Sequence, residues 1–297
     1  MKTGFVGLIG RPNVGKSTLI NTLIGEKIAI VSKKPQTTRN IIKGIYNGSD
    51  SQIVFVDTPG IHKPNHKLGT YLNKQAYYTI DDNDVLLFLV SAKEEWGRGD
   101  DFVLERLKIT GKPIILVINK IDLITKEELY LKIASIKDKY DFKAIVPISA
   151  MRNDNVDRLI KVIKEELNEG PIYYDQDEYT TRSVKFLVAE IIREKIFNLT
   201  EKEIPHGTTV MVEAFERSGN SYVINASIIV DRASIKKIIV GAHGSMIKEI
   251  GIEARKDIEA LLNKKVYLDL FVKVIPKWRD KDQYLSEFGF EDFKENE

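Results

Sequence analysis

An apolar run, Thr3–Ile9 (TGFVGLI), leads directly into Gly10–Ser17 (GRPNVGKS) and then into a helix-forming stretch, Thr18–Gly25. This full match to G-x-x-x-x-G-K-[ST], set between a strand and a helix, limits the fold more than anything else in the chain. The backbone of such a loop curls so that successive N–H groups point inward at phosphates, and the helix N-terminus adds partial positive charge. Gly10, Arg11, Pro12, Asn13, Val14 and Gly15 form the loop, and Thr18 follows into the helix. Lys16 is expected to reach the β and γ phosphates, and the Ser17 hydroxyl to bind Mg²⁺.

Three further motifs follow in order. Asp57–Gly60 (DTPG) ends the apolar run Ile53–Val56. An Asp at the end of a buried strand is where a phosphate-loop protein holds Mg²⁺, here through water, and Gly60 lets its own N–H approach a γ-phosphate. Thr58 and Pro59 complete that loop. Asn119–Asp122 (NKID) ends a third apolar run, Ile114–Ile118. A carboxylate can accept from both N1–H and the exocyclic amine of guanine, and adenine offers no such pair of donors. Asp122 is therefore the expected base selector, with Asn119 at the purine edge and the Lys120 stem over the ring face. Ser149–Ala150 follows a short strand, Ala144–Ile148, and offers a backbone N–H to the guanine carbonyl. These four motifs imply a guanine nucleotide, GTP or GDP. A P-loop kinase using ATP is the competing reading; NKID and the lack of a basic lid segment argue against it.

The length of 297 residues suggests two domains, and 43% hydrophobic residues can supply two cores. Cysteine is absent, which fits a reducing cytoplasm and excludes disulfides and thiolate metal sites. The chain opens on a strand rather than a signal peptide, and no apolar run reaches membrane-spanning length.

Alternating strands and periodic helices from residue 1 to 168 predict a doubly wound, mostly parallel α/β sheet. Residues 169–183, rich in Gly, Pro, acids and tyrosines, read as a linker. Residues 184–281 give the order α-β-β-α-α-β, with Gly241–Gly244 (GAHG) between the two middle helices and Ser234 as a cap for the first of them. That order is the pattern of a type II KH domain, a smaller α+β fold that binds single-stranded nucleic acid. Gly241, Ala242, His243 and Gly244 are the expected backbone contact, with Lys248, Arg255 and Lys256 adding charge. Arg232–Lys281 carries 12 Lys or Arg against 6 Asp or Glu, a net of +6. Residues 282–297 carry one Lys against six acids, a net of −5, and read as an acidic tail. A basic lobe of this kind suits a polyanion.

GRPNVGKSTLIN (residues 10–21), KPQTTRNI (residues 34–41), AEIIREKIF (Ala189–Phe197), EIPHG (Glu203–Gly207) and IGIEARKDIEALL (Ile250–Leu262) resemble the Era family of bacterial GTPases over nearly the whole chain. The resemblance implies several things. The catalytic set is Lys16, Thr38 and Gly60. Thr37 or Thr38, with Thr38 favoured, joins Ser17 and Asp57 around Mg²⁺. Ile61, after DTPG, cannot orient a water, so hydrolysis is slow. Asn13 matches relatives stimulated by K⁺. The implied partner is 16S rRNA near its 3′ end, with a role in 30S subunit maturation. A cytoplasmic monomer with peripheral association at the inner membrane is implied too, and a membrane-recruited regulatory scaffold is the alternative role. Within GAHG the family usually carries Lys or Arg, so Ala242 and His243 weaken the side-chain contact to phosphate, and Lys248, Arg255 and Lys256 are the compensating candidates.

Overall fold

The computed structural model describes residues 1–32, 34, 37–60 and 66–290. The chain divides into two units. The first comprises the described residues of Met1–Ala29, Thr38–Lys63 and Leu72–Thr181, and the second those of Ile30–Thr37, Pro64–Tyr71 and Arg182–Glu297.

The first unit is a six-stranded sheet in the order β2-β3-β1-β4-β5-β6. Its strands are β1 (Lys2–Gly10), β2 (Ile42–Asn47), β3 (Ser51–Asp57), β4 (Val85–Ser91), β5 (Ile114–Asn119) and β6 (Ala144–Pro147). Only β2 runs antiparallel to its neighbour; the other pairings are parallel. β3, β4 and β5 are buried along their whole length, which is why they read as unbroken apolar runs rather than alternating ones. Helices α1 (Lys16–Ile24), α2 (Lys67–Asp81), α3 (Arg98–Ile109), α4 (Lys126–Ile136) and α5 (Val156–Glu166) connect them; α2 begins in the second unit and ends in the first. The strand order reverses between β3-β1 and β4, and ligands of open α/β sheets bind at the carboxyl ends of strands at such a point. β1 and β3 end there on Gly10 and Asp57.

Residues read as a linker pack on this sheet. Gln52, fully buried, accepts from the backbone N–H of Tyr173 and Tyr174 at 2.7 and 3.1 Å and donates to the Tyr174 carbonyl at 2.8 Å. Thr180 bridges to Gly44 on the edge strand β2, so part of that open edge is paired.

The second unit contains α6 (Val184–Leu199), β7 (Thr208–Ser218), β8 (Ser221–Val230), α7 (Ala233–Val240), α8 (Ser245–Leu262), β9 (Lys265–Val274) and α9 (Asp282–Glu287). Its sheet order is β7-β8-β9, antiparallel between β7 and β8 and parallel between β8 and β9. This is the α-β-β-α-α-β arrangement of a type II KH domain. The core joins Ile191, Ile192 and Ile196 of α6 to Ile228 of β8, Ile239 of α7 and Ile250, Ala254 and Ile258 of α8. Ser234 does not cap α7. The helix begins two residues earlier than such a cap would allow, at Ala233, so its cap position is Arg232 and the Ser234 hydroxyl lies inside the first turn. Past Lys281 the fold continues: Leu285 and Phe290 are buried, and Trp278, fully buried, donates its indole N–H to the Gly207 carbonyl at 3.1 Å. No helix among the described residues is long and apolar enough to cross a membrane.

Candidate nucleotide site and nucleic-acid interface

β1 delivers the chain into the loop and α1 begins at Lys16, so Lys16 and Ser17 already sit in the first helical turn. The Lys16 ammonium donates to the carbonyls of Gly10 and Arg11, both at 3.0 Å, and is buried. Burial lowers its pKa, and the Asp57 charge works against that shift. Gly15 has φ +99° and its absent Cβ would lie 2.2 Å from the Asn119 amide nitrogen, so no side chain fits there.

Ser17, Thr38 and Asp57 converge. Ser17 Oγ lies 3.0 Å from both Thr38 Oγ1 and Asp57 Oδ2, and Thr38 Oγ1 lies 3.2 Å from Asp57 Oδ2. Asp57 is fully buried, and its Oδ1 has no hydrogen-bond partner among the described residues. Burial raises its pKa, opposed by the Lys16 charge and by the Ser17 and Thr38 hydroxyls. A buried carboxylate with an orphaned oxygen and two hydroxyls beside it is an all-oxygen set, the kind Mg²⁺ takes. These residues therefore fit the ion. The Thr37 carbonyl accepts from Arg193 Nη2. Thr58 donates its hydroxyl to the Leu8 carbonyl at 3.3 Å, and Pro59 is buried beside it. Gly60 sits against the loop: a Cβ there would be 3.2 Å from Pro12 Cγ. Ile61 lies outside the described residues.

Asn119 is an organiser of the site. Its amide nitrogen donates to the Val14 carbonyl at 2.9 Å, and its amide oxygen accepts from Lys120 N–H at 2.8 Å and Ala150 N–H at 3.0 Å. One side chain thus ties the phosphate loop to both base-reading motifs. Lys120, at φ +67°, donates to the Asn13 carbonyl. Asp122 accepts from the Ser149 hydroxyl at 2.6 Å, and its Oδ2 has Arg152 Nε at 3.9 Å. Thr18 contributes a carbonyl to Thr22, whose hydroxyl also reaches the Ala150 carbonyl at 2.8 Å.

Arg11 is a loop residue whose side chain reaches outside the loop. Its guanidinium turns to Asp100, at 3.1 Å, and to Glu94, at 3.9 Å, because Asp100 is a buried carboxylate that also accepts from Gly97 N–H at 2.9 Å at the start of α3. Arg11 lines the loop through its backbone, and its side chain anchors the loop to α3. Sequence reasoning missed Asp100 for lack of any local signal: it lies 89 residues from Arg11.

In the second unit, Gly241, Ala242, His243 and Gly244 form a tight turn joining α7 to α8. His243 and Gly244 both have left-handed backbones, φ 51° and 79°. The crowded glycine is Gly241: a Cβ there would lie 2.7 Å from Met246 N, whereas one at Gly244 meets nothing within 4 Å. Ala242, His243, Lys248, Arg255 and Lys256 are exposed. Lys248 and Arg255 are seven residues apart and share one face of α8; Lys256 lies roughly 80° further round. The N-terminus of α8 opens directly after the turn, and backbone N–H groups there suit a phosphate.

A family model described as "50S ribosome-binding GTPase" matches residues 5–120, and a KH domain model matches residues 203–279. Two solved structures are similar along nearly the whole chain. One is an alanine variant of Aquifex aeolicus Era bound to GDP·AlF4⁻. The other is Era in complex with MgGDPNP and nucleotides 1506–1542 of 16S ribosomal RNA. Each is 40% identical, covers 98% of this chain and 99% of its own, and superposes with a TM-score of 0.95. With the motif order, the mixed sheet, the KH topology and this identity taken together, the chain belongs to the Era family of GTPases.

Proposed function

We propose that this GTPase is a nucleotide-controlled switch that binds 16S rRNA near its 3′ end and assists maturation of the 30S subunit. The observation that carries this reading is the pairing, in one chain, of the Ser17–Thr38–Asp57 oxygen cluster with a GxxG turn at the head of a helix that exposes Lys248, Arg255 and Lys256. Similarity to an Era structure holding both MgGDPNP and a 16S rRNA fragment supports the choice of RNA. Cytoplasmic location, a monomeric state and peripheral contact with the inner membrane belong to the same reading and rest on family likeness.

Lys16 would hold the β and γ phosphates, and the Gly60 N–H the γ-phosphate. Ser17, Thr38 and, through water, Asp57 would hold Mg²⁺. The ion supplies charge neutralisation for phosphoryl transfer. Asp122 would read guanine, with Ser149 orienting its carboxylate and the Ala150 region facing the base carbonyl. Asn13, in the loop at φ +65°, would serve a K⁺ ion that adds charge near the β and γ phosphates, where Ile61 offers no water-orienting group. Hydrolysis is then expected to be faster in K⁺ than in Na⁺ at equal ionic strength; equal phosphate-release rates in the two salts would remove K⁺ from the mechanism.

Gly244→Asp is expected to abolish RNA binding while leaving GTP affinity unchanged. The open space at its Cβ rules out a helix–helix clash. The effect would come from a carboxylate placed where phosphates approach, together with the cost of a side chain at φ +79°. Titration of each variant with labelled RNA and with a fluorescent GTP analogue measures both. Wild-type RNA affinity in Gly244→Asp would contradict the placement of RNA at this turn.

A further inference from the structure

Three residues at the start of α3 serve one side chain of the phosphate loop, all of them within the first unit. Gly99 leaves room for the Arg11 stem: a Cβ there would lie 3.2 Å from Arg11 Cδ and Nε. Asp100, whose side chain is 5% exposed, takes Arg11 Nη1 on Oδ2 at 3.1 Å. Gly97, the cap position of α3, donates its N–H to the same oxygen at 2.9 Å, so the helix itself holds the carboxylate. Glu94 adds a second carboxylate 3.9 Å from Arg11 Nη1, and the Glu94 carbonyl accepts from Lys132 of α4. A buried carboxylate is costly to leave without its cation, which ties Arg11 to this place. The Arg11 main chain has a second task. Its carbonyl accepts from the Lys16 ammonium at 3.0 Å, beside the Gly10 carbonyl at the same distance. Gly10 is the last residue of β1 and is paired with Leu89 of β4, so the sheet fixes its carbonyl. Arg11 is the first residue beyond the strand. For its carbonyl, the side-chain anchor to Asp100 does what the sheet does for Gly10.

We propose that Asp100 is a positioning residue for phosphoryl transfer: by holding the Arg11 side chain it fixes the Arg11 carbonyl, and through that carbonyl the Lys16 ammonium. The proposal rests on the reading of Lys16 as the group that holds the β and γ phosphates. Asp100 acts through Arg11, not on the phosphates. A cation that stabilises developing charge is effective when it already stands where the charge will form and need not be reorganised during the reaction. A displacement of about 1 Å caused by a residue remote from the chemistry can cost about 10²-fold in rate. The other end of the loop is held independently, by the Asn119 amide on the Val14 carbonyl at 2.9 Å and by the start of α1 at Lys16. The N–H groups that cradle phosphate at that end therefore stay in place when Arg11 is loosened. Turnover is expected to suffer more than nucleotide affinity, the pattern of an interaction realised in the transition state.

The test uses the full chain as Arg11→Ala, Asp100→Asn, the two combined, Lys16→Ala and, as a control that breaks an ion pair of α3 with Lys108 away from the loop, Glu105→Ala. Steady-state GTP hydrolysis gives kcat and KM, titration gives GDP affinity, and thermal unfolding follows the fold. Asp100→Asn keeps an oxygen for the Gly97 N–H, so the start of α3 survives while the charge facing Arg11 is lost. Arg11→Ala and Asp100→Asn are each expected to lower kcat about tenfold, with KM and GDP affinity near the parent values. The double variant should fall no further than the more impaired single variant, because both changes remove one interaction. Glu105→Ala keeps the parent kcat. Parent-like kcat in both single variants would overturn the proposal even if they unfold at lower temperature, since the pair would then only brace α3. An additive fall in the double variant, or an equal fall in the control, would overturn it as well. Parent-like turnover in Lys16→Ala would refute the reading of Lys16 on which the proposal stands. If Lys16→Ala is impaired and the pair variants are parent-like, that reading holds and the role of Asp100 alone is lost.

Discussion

Asp122→Asn is expected to move base preference from guanine toward xanthine and to weaken GTP binding by about 1–3 kcal/mol, roughly 5- to 150-fold. In the proposed role the carboxylate would accept from two guanine donors. The amide offers a donor to one of them, while xanthine presents an oxygen where guanine has its amine. The geometry makes this a clean substitution. Among the described residues Asp122 accepts from the Ser149 hydroxyl at 2.6 Å, and a hydroxyl can donate equally to an amide oxygen. The measurement is competition of GTP and XTP for a fluorescent nucleotide. Unchanged GTP affinity in the variant would remove Asp122 from base reading.

Lys16→Ala is expected to lower GTP turnover by about 10²–10³-fold, the usual effect of removing one preorganised donor from a developing anion, and to weaken nucleotide binding with it. Lys16 is buried and donates to two loop carbonyls, Gly10 and Arg11, at 3.0 Å. Its loss removes the positive charge at the phosphates and leaves those carbonyls short of a donor. RNA affinity without nucleotide should stay at the wild-type value, because the KH core of α6, α7, α8 and the β7-β8-β9 sheet is built from other residues. Phosphate release under saturating GTP, with RNA titration alongside, measures both. Wild-type turnover would contradict the role given to Lys16.

Much of this was legible in the sequence because the signals are local. A phosphate loop needs its glycines, Lys and Ser within eight residues, and the fully buried strands β3, β4 and β5 advertise themselves as apolar runs. The KH topology came from element order, with GAHG marking the turn. What was hidden depends on contacts between distant residues. Nothing near Arg11 signals that its guanidinium will be taken by Asp100, and nothing in NKID reveals that Asn119 binds Val14 and Ala150 at once. The choice between Thr37 and Thr38 was likewise beyond a pair of identical side chains. In the fold the Thr37 carbonyl accepts from Arg193 and the Thr38 hydroxyl lies beside Ser17 and Asp57, the geometry on which the proposed choice of Thr38 rests. Gly241 and Gly244 look equivalent in a GxxG pattern, yet only Gly241 is crowded. The tyrosine-rich segment at 169–183 read as a linker on composition; its docking uses buried Gln52 and the edge strand β2, both more than 100 residues earlier.

One chain is expected to couple GTP to RNA. The direct test is titration of a labelled 16S rRNA 3′-end fragment into the protein with a non-hydrolysable GTP analogue, with GDP and without nucleotide, at fixed Mg²⁺ and salt. A ligand can shift an equilibrium only through differential affinity for its states. The account predicts tightest RNA binding with the analogue, by at least about fivefold over GDP. Identical affinities in all three conditions would leave two independent binding domains on one chain and contradict the switch.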